Sequence, residues 1–432
     1  MERKIVEALI AWKNNPNKQP LIITGARQVG KTYSALSFGK AYYKNTVYVN
    51  MEDSREVQAI FERDLKPERI IRELSVLSGQ SIFPEDTLII FDEIQACERA
   101  LTSLKYFCEN APEYHIISAG SLLGVAMNRE NYSFPVGKVD MVSLYPLDFE
   151  EFLLALGHGS LIQLIKESYE SFTPLSIHTQ ALDLYKTYLI VGGMPRVVSE
   201  YIRTKDFDFV IATQKGINDS YIADMAKYAT TNETTKIMAA WASIPAQLSK
   251  ENKKFQYKVI KSGARAYEYE TPLDWLKFAG IIYKCIRIRE GKLPLTAYAE
   301  NEAFKVYMMD TGLLCSKFGI APHMILSELA SFDGFKGALA ENYVCQTLVV
   351  NGFTPYYWTS SGTAELDFVL QSRAGEIIPL EVKSTDNVRS KSMNQFVSHY
   401  QSNEAVRVST KNFGFENGIK SIPLYALFCL KF

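Results

Sequence analysis

The chain has 432 residues, with 47 lysines and arginines against 48 aspartates and glutamates, and a formal net charge of -1. Hydrophobic residues make up 47% and charged residues 22%, a globular balance that excludes a largely disordered chain, a collagen-like fibre and a coiled-coil rod. The neutral total argues against a protein that coats nucleic acid by bulk charge, and the length predicts two or three domains.

Short apolar strands alternate with helical stretches in residues 1–155. The strand candidates are Leu21–Thr24, Thr46–Asn50, Thr87–Phe91, His115–Ala119 and Val139–Leu144. This alternation predicts an α/β domain with a largely parallel sheet between helices.

A phosphate-binding loop of the form G-x-x-x-x-G-K-T follows the first of these strands. The loop consists of Gly25, Ala26, Arg27, Gln28, Val29, Gly30, Lys31 and Thr32, and Tyr33 continues it into the predicted helix. Glycines let the backbone curl so that several N–H groups face a phosphate, and the following helix directs its positive end at the same anion. We expect Lys31 to reach the β- and γ-phosphates of a bound nucleotide and the Thr32 hydroxyl to bind Mg²⁺.

Two carboxylates end the strand Leu88–Phe91. Asp92 is expected to hold Mg²⁺ opposite Thr32, and Glu93 to polarise the attacking water as a general base. The next strand ends in Ser118 and Ser121, and either hydroxyl could sense the γ-phosphate or position the water. The sequence does not choose between these two serines.

The middle of the chain is mainly helical. Helices are predicted at Phe149–Leu156, Leu161–Tyr169, Ala181–Ile190 and Phe207–Ala226, and then at Glu233–Ala246 and Pro272–Phe278. A β-rich stretch follows, Ile281–Ile288 and then Leu295–Tyr298. We read residues 156–230 as a helical segment and 231–330 as a winged-helix-like segment.

A basic run lies inside the winged-helix-like segment. It contains Lys250, Lys253, Lys254, Lys258, Lys261 and Arg265, opposed by Glu251 alone. Such a run could neutralise DNA phosphates, or it could be an exposed, solvated loop. Both interpretations stay open.

Residues 331–432 predict a second α/β unit with its own acidic cluster. Glu341 falls on a predicted helix, Asp367 in a strand, and Glu381 and Lys383 on one face of the next strand. Asp367, Glu381 and the upstream Glu341 could bind one or two Mg²⁺ ions, and Lys383 could activate water. An acid followed by Glu-x-Lys on neighbouring strands is the pattern of the restriction-endonuclease-like nuclease fold.

Together these motifs resemble a family of bacterial and archaeal AAA-type P-loop ATPases, often fused to a restriction-endonuclease-like domain of unknown function. The resemblance is carried by GARQVGKT at 25–32, LIIFDEIQ at 88–95, ISAGSLLG at 117–124 and YPLDFEEF at 145–152. It extends through GGMP at 192–195 and MDTGLL at 309–314. The resemblance implies ATP as the nucleotide and an additional strand between those leading to Lys31 and Asp92. It permits either a ring or a monomer, so self-association is left open.

One position departs from the family pattern. Members commonly carry a Gly-Arg pair where this chain has Gly137 and Lys138. Arginine can clamp a phosphoryl oxygen through two hydrogen bonds, whereas lysine acts as a point charge. If this position supplies a finger to a neighbouring site, hydrolysis is expected to be slow or to use another residue. Arg129 is nearby in the sequence.

The sequence also predicts a location. It contains no apolar run of about 18 residues and no secretory signal at its start, so neither a membrane span nor a membrane partner is expected. Six scattered cysteines form no metal-binding or CxxC pattern and are expected to be reduced thiols. These features indicate the cytoplasm.

The leading interpretation is an ATPase that uses Mg²⁺ and ATP to control a DNA-directed C-terminal module. One alternative is a slow switch or interaction protein with an inactive nuclease-like fold. Another is a nuclease that its ATPase licenses to cut.

Overall fold

The computed structural model describes residues 1–432 apart from 54, 122–133, 229–230, 251–252, 328–332, 361, 363, 385–390, 403 and 432. Side chains of 228, 231, 333 and 334 are also outside the description. The chain divides into two compact units: Met1–Tyr145 with Phe278–Gly280, and Pro146–Lys277 with Ile281–Phe432.

The first unit is an α/β sandwich. Its elements are α1 (Ile5–Asn14), β1 (Leu21–Thr24), α2 (Lys31–Tyr42), β2 (Asn45–Asn50), α3 (Arg55–Arg63), α4 (Pro67–Ser78), β3 (Thr87–Asp92), a 3-10 turn (Ile94–Ala96), α5 (Glu98–Asn110), β4 (His115–Ala119) and β5 (Asp140–Ser143). The described strands form a five-stranded sheet in the order β2-β3-β4-β1-β5, and every pairing is parallel. Strand β4 lies between β1 and β3, which confirms the additional strand implied by the resemblance.

The apolar composition of the central strands explains their position. Every residue of β3 and of β4 is buried, because helices cover both faces of a parallel sheet. The core on one face gathers Val47, Ile89, Phe91 and Leu104 against α3, α4 and α5. This packing fixes the carboxyl ends of β1, β3 and β4 at one edge, where the predicted site residues lie.

The second unit begins with a helical layer. Its helices are α6 (Phe149–Ala155), α7 (Gly159–Ser171), α8 (His178–Val191), α9 (Pro195–Thr204), α10 (Phe207–Tyr228), α11 (Thr231–Leu248), α12 (Tyr257–Ile260) and α13 (Ala266–Phe278). Strands β6 (Ile282–Ile288) and β7 (Ala299–Met308) follow, then α14 (Thr311–Phe318) and α15 (Pro322–Leu326). Leu295–Tyr298, predicted as a strand, is a 3-10 turn; the second strand of the hairpin starts at Ala299.

The unit ends with α16 (Asp333–Val350), β8 (Tyr356–Thr359), β9 (Glu365–Gln371), β10 (Ile377–Val382), α17 (Lys391–Tyr400), β11 (Ala405–Ser409), β12 (Gly414–Glu416), β13 (Ile419–Pro423) and a 3-10 turn (Leu424–Cys429). The described strands form one eight-stranded sheet, ordered β12-β13-β11-β10-β9-β8-β6-β7. Strands β8, β9 and β10 are an antiparallel meander, and β11 is parallel to β10.

The β6–β7 hairpin belongs to this sheet. Ile286, Arg287 and Ile288 of β6 pair in parallel with Tyr356, Tyr357 and Trp358 of β8. The predicted boundary between residues 330 and 331 therefore falls within one sheet. The β6–β7 hairpin extends a larger sheet. In a winged helix, the hairpin would instead pack against the two helices that precede it.

Two further sequence predictions concern the whole chain. No disulfide bond joins any of the six cysteines in the structure. Within the described residues, none of the helices is both long and apolar enough to traverse a membrane.

Candidate functional site

The backbone of the loop between β1 and α2 requires glycine at both ends. Gly25 has a φ of 137°, and a Cβ there would lie 2.1 Å from the carbonyl oxygen of Leu144. Gly30 is the N-cap of α2 and is left-handed at a φ of 97°. The loop thus curls directly onto the first turn of a 12-residue helix, whose positive end favours an anion.

Lys31 is held against the loop itself. Its Nζ donates to the carbonyl oxygens of Gly25 at 2.9 Å and Ala26 at 2.8 Å. Burial lowers the pKa of this ammonium to about 8, although the carboxylates of Glu93 and Asp92 partly oppose the shift. A phosphate brought beside Lys31 would supply the further negative charge that stabilises its charged form.

Thr32 and Asp92 come together as predicted. The Thr32 hydroxyl donates to Asp92 Oδ2 at 2.8 Å, although 60 residues separate them in the sequence. Asp92 ends β3 and is 6% exposed. A hydroxyl and a carboxylate oxygen in contact are suitable Mg²⁺ ligands, because Mg²⁺ takes oxygen ligands and completes its shell with phosphates and water.

Glu93 lies beside this pair with its backbone in the left-handed region, at a φ of 48°. Its Oε2 accepts hydrogen bonds from Gln95 Nε2 at 2.5 Å and from Ser121 Oγ at 3.4 Å. The structure therefore brings Ser121 to the predicted general base. Ser118 is fully buried in β4, and its Oγ has no hydrogen-bond partner among the described residues.

The remaining loop residues surround this centre in different ways. Ala26 and Val29 are buried, Arg27 is half-buried, and Gln28 is left-handed with a φ of 66°. Tyr33 is 62% exposed on α2. Its assignment to the nucleotide stays a prediction.

Sequence reasoning missed Tyr48 and Gln95. The Tyr48 hydroxyl donates to the same Asp92 Oδ2 at 2.9 Å. Burial and this hydrogen bond raise the phenol pKa, so the hydroxyl stays a donor. The sequence carried only part of the signal, the alternation of Tyr48 with the buried Val47 and Val49. The pairing of β2 with β3 is seen only in the structure.

Lys138, which stands where family members commonly carry an arginine, forms an ion pair within the first unit. Lys138 Nζ lies 3.0 Å from Glu109 Oε1. That hydrogen bond raises the lysine pKa, which keeps the group charged. Arg129 lies outside the described residues.

The C-terminal acids occupy a second, buried cluster. Asp367 Oδ2 accepts a hydrogen bond from the Val382 backbone at 2.8 Å. Burial, and then the nearby Glu341 carboxylate, raise the Asp367 pKa to about 7. Glu381 lies one step past the Leu380–Phe368 pair, which sets it beside Asp367 on the adjacent strand. Lys383 Nζ is 2.9 Å from Glu381 Oε1, and Glu381 Oε2 has no described hydrogen-bond partner.

Two lysines neutralise this cluster from the middle of the chain. Lys253 contacts Glu341 Oε1, and Lys305 lies 2.5 Å from Glu365 and 4.0 Å from Glu341. Lys305 is 1% exposed, and although burial opposes its charge, the surrounding carboxylates raise its pKa. Lys253 of the basic run therefore points inward, and one member of that run is not a free surface cation.

These lysines bear on the predicted metal set of Glu341, Asp367 and Glu381. In the part of the chain that the structure describes, no group of three or more His, Cys, Asp or Glu side chains is arranged to hold a metal ion. The metal assignment at the C-terminal end stays a prediction. Lys305 could have been noticed in the sequence as a single cation inside the buried strand segment Ala303–Met308.

The motifs outside the nucleotide loop meet in a buried hub of the second unit. Leu147 N–H donates to Gly193 O at 2.7 Å, and Gly193 N–H donates to Asp310 Oδ2 at 2.6 Å. Tyr188 Oη donates to Leu147 O at 2.7 Å. A Cβ on Gly193 would lie 1.9 Å from Leu147 O, so this close approach needs glycine. The hub gives those motifs a structural role.

The loop, the inserted strand and the acid pair form the arrangement of a P-loop nucleotide-binding domain. Residues 17–153 match the family described as an AAA domain, which supports nucleotide binding and hydrolysis. Residues 182–323 and 336–427 match two domains of unknown function, DUF8612 and DUF4143. No curated protein matches the chain.

Solved structures share low similarity with it. A Walker-type ATPase of Pyrococcus abyssi is 15% identical, with a TM-score of 0.46 over 73% of this chain and 95% of that one. The ORC1 protein of Aeropyrum pernix, solved with DNA, is 14% identical, with a TM-score of 0.29 over 76% and 91%. The RuvB branch migration motor of Thermotoga maritima is 12% identical, with a TM-score of 0.32 over 68% and 91%. With scores this low, none of the three bears on activity.

Proposed function

We propose that this protein hydrolyses ATP with Mg²⁺ at the site formed by Lys31, Thr32, Asp92 and Glu93, and that turnover controls a DNA-directed module in residues 331–432. The observation that carries the proposal is the 2.8 Å contact between Thr32 and Asp92, which joins the loop to the carboxyl end of β3. In this proposal Lys31 and the loop N–H groups bind the phosphates, and Thr32 and Asp92 hold the metal.

Glu93 and Ser121 would act on the attacking water. A carboxylate next to the metal pair can accept a proton from water, and a serine within 3.4 Å of it can help to fix its orientation. When bound, Mg²⁺ would neutralise charge that develops on the transferred phosphoryl group.

An ATPase assay with three variants tests these roles. Lys31→Ala is expected to abolish ATP binding, whereas Glu93→Gln is expected to keep binding and lose about 10²–10⁴-fold in kcat, the usual contribution of a general base. Lys40→Ala is the matched control, because Lys40 is an exposed lysine on the same helix. Normal turnover by Glu93→Gln would remove Glu93 from the mechanism.

A slow switch is the second candidate, and the surroundings of Glu93 favour it. Two donors already engage Oε2, which makes a carboxylate a weaker base. Steady-state turnover at or below ~0.001 per second, close to unassisted GTPases, would support a switch. Faster turnover would support the ATPase.

The order of elements supports a nuclease-like module. The elements follow in the order α16, the meander β8-β9-β10, α17 and then β11 parallel to β10. Asp367 lies on β9, Glu381 on the adjacent β10, and Lys383 directly after the end of β10. Against cleavage, Lys253 and Lys305 already balance the acids.

Metal-dependent cutting is therefore tested separately from ATP turnover. Plasmid and oligonucleotides are incubated with Mg²⁺ or Mn²⁺ and wild type, Asp367→Ala or the surface control Asp219→Ala. Cutting lost only in Asp367→Ala supports a nuclease. Absence of cutting, together with ATP turnover stimulated by single- or double-stranded DNA, supports a DNA-directed module without cleavage.

A further inference from the structure

Arg3 precedes helix α1 and lies outside the nucleotide-binding motifs, yet its side chain reaches the phosphate loop. The guanidinium donates to the carbonyl oxygen of Val29 at 2.9 Å and to that of Tyr145 at 2.6 Å, across 26 and 142 residues of sequence. All three residues belong to the first unit. Because Val29 is a member of the loop, Arg3 connects the loop backbone to a part of the sheet that the nucleotide motifs do not include.

Tyr145 is a well-fixed anchor for the guanidinium. It directly follows Leu144, whose N–H donates to the carbonyl oxygen of Thr24 at 2.8 Å. Thr24 ends β1 and pairs with Ser143 of β5, so these backbone groups lie at the carboxyl end of the sheet. The phosphate loop starts directly after this strand end. The guanidinium therefore ties the far end of the loop back to the strand pair from which the loop departs.

Two cationic side chains bind carbonyl oxygens of the loop from its two ends. Lys31 binds those of the first two loop residues, and Arg3 binds that of Val29. In a planar trans peptide the C=O and the N–H point in opposite directions. A donor that fixes the Val29 carbonyl therefore also fixes the next N–H, that of Gly30, on the other side of the same peptide.

The orientation of the Gly30 N–H matters for anion binding. Gly30 is the N-cap of α2, and N–H groups at a helix N-terminus lack partners within the helix and bind anions. Glycine has no side chain to restrict its backbone, so contacts from outside must hold this peptide in place. Val29 is fully buried, and a hydrogen bond from a charged donor is stronger than one between neutral groups.

We propose that Arg3 is a positioning residue for phosphate binding: by bridging Val29 and Tyr145, it holds the Gly30 N–H in the orientation that a nucleotide phosphate requires. The guanidinium suits this role because its planar fork donates to two carbonyl oxygens at once, whereas an ammonium is a compact point charge. Arg3 acts through the loop backbone and does not itself contact the phosphate. The inference rests on the proposed function, because it deepens the ATP site proposed above.

Calorimetric titration with Mg²⁺–ATP and steady-state ATPase kinetics test this role in the full chain. Arg3→Ala is expected to raise the Kd and the KM for ATP about tenfold or more, because a hydrogen bond from a charged donor is lost. At saturating ATP its kcat should change less than about threefold, since the interaction serves binding. Arg3→Lys is expected to fall between wild type and Arg3→Ala, because an ammonium does not reproduce the fork. A merely structural defect would lower kcat through a smaller active fraction and leave KM unchanged.

Arg99→Ala is the matched control. The Arg99 guanidinium also donates to a backbone carbonyl of the first unit, that of Phe61 at 2.7 Å, but neither residue belongs to the phosphate loop. This variant is expected to leave the Kd and the KM for ATP unchanged. Equal effects of Arg99→Ala and Arg3→Ala on KM, or an unchanged KM in a folded Arg3→Ala protein, overturn the positioning role. If Arg3→Ala does not fold, an unchanged Kd in Arg3→Lys overturns it instead.

Hydrogen exchange separates this inference from the proposed ATPase activity. In the nucleotide-free protein, Arg3→Ala is expected to speed exchange of the amides in residues 25–32, while those of β3 keep wild-type rates because that buried strand does not depend on the guanidinium. Exchange in residues 25–32 that matches wild type contradicts the positioning role. A wild type that binds no ATP contradicts the proposed function, and the exchange rates still decide whether Arg3 holds the loop.

Discussion

The Asp92 carboxylate accepts hydrogen bonds from two hydroxyl groups, and the two have different roles. Thr32 lies on the phosphate loop and can exchange its hydrogen bond for a metal. Tyr48 lies on the neighbouring strand β2, and its hydroxyl donates to the same carboxylate oxygen of Asp92 that accepts from Thr32. Groups that orient a metal ligand influence metal affinity without touching the metal.

Tyr48→Phe tests that orienting role. Loss of the hydroxyl is expected to raise the Mg²⁺ concentration needed for half-maximal ATP turnover about tenfold, because Asp92 loses a donor that fixes its rotamer. Binding of ATP without metal should be unchanged. Tyr42→Phe, an exposed tyrosine of α2, is the control, and an unchanged Mg²⁺ requirement in Tyr48→Phe would contradict the role.

At the scale of elements, the hub around Asp310 decides how α8, α9 and α14 pack. Asp310 is the N-cap of α14, where it accepts from Leu313 N–H at 2.8 Å, and it also accepts from Gly193 N–H. One carboxylate therefore satisfies the start of a helix and the turn between α8 and α9. This double role of Asp310 explains why the GGMP motif at 192–195 and the MDTGLL motif at 309–314 lie together in the fold.

A pair of glycine substitutions measures the closeness of this packing. Gly193→Ala is expected to destabilise the second unit by about 3 kcal/mol or more, because its Cβ would meet the Leu147 carbonyl. Gly216→Ala is the matched control, since nothing lies within 4 Å of a Cβ at that helical position and alanine should stabilise by about 0.5–1 kcal/mol. Urea titration followed by circular dichroism measures both, and similar effects of the two changes would contradict the packing argument.

The same carboxylate predicts a pH dependence. Burial raises the Asp310 pKa to about 6 despite donors from Gly193, Leu313 and Gly312. The folded state thus binds the proton more tightly than the unfolded state, whose pKa is about 3.9. The contribution of this group to stability is complete below the unfolded pKa and is lost as pH rises through about 6, at about 1.4 kcal/mol per pH unit.

The side chain introduced by Asp310→Asn cannot ionise. We therefore expect this variant to be less stable than wild type at low pH, and its free energy of unfolding to lack the pH dependence that Asp310 contributes. Urea unfolding of wild type and variant between pH 4.5 and 7.5 gives the difference in free energy at each pH. Asp219→Asn, an exposed position on α10, controls for the loss of one acid. A difference between wild type and Asp310→Asn that stays constant with pH would rule out the assignment.

At the scale of the whole molecule, each unit is organised by one sheet. In the second unit that sheet joins strands from both sides of residue 330, because β6 covers the edge of β8. Without β6, the Tyr-Tyr-Trp-Thr strand β8 would present unpaired backbone groups and aromatic side chains.

This arrangement predicts how fragments behave. Residues 331–432 alone should self-associate through the exposed edge of β8, whereas residues 146–432 should stay monomeric at the same concentration. Light scattering after size-exclusion chromatography distinguishes the two. A monomeric, folded 331–432 fragment would show that β6 is dispensable.

The sequence predicted the features that depend on local patterns. The loop glycines, the apolar strands and the acids at the end of β3 are all readable within a few residues, and the structure brings Lys31, Thr32, Asp92 and Glu93 together. The pairing of β6 with β8 is not readable in this way, because it joins strands about seventy residues apart and periodicity carries no information about partners. The inward orientation of Lys253 could not be predicted for the same reason, because its partner Glu341 lies on a helix far away in the sequence.

The position of Lys305 has a consequence for the exchange of gene segments between related proteins. Its charge is contributed by the middle segment, while Glu341 and Glu365 are contributed by the C-terminal segment. Recombination between related genes that replaced one segment alone would bury an unmatched charge, which costs several kcal/mol. An exchange that kept the cluster balanced would therefore move the two segments together, and none of the described residues of the first unit contributes to this ion-pair cluster.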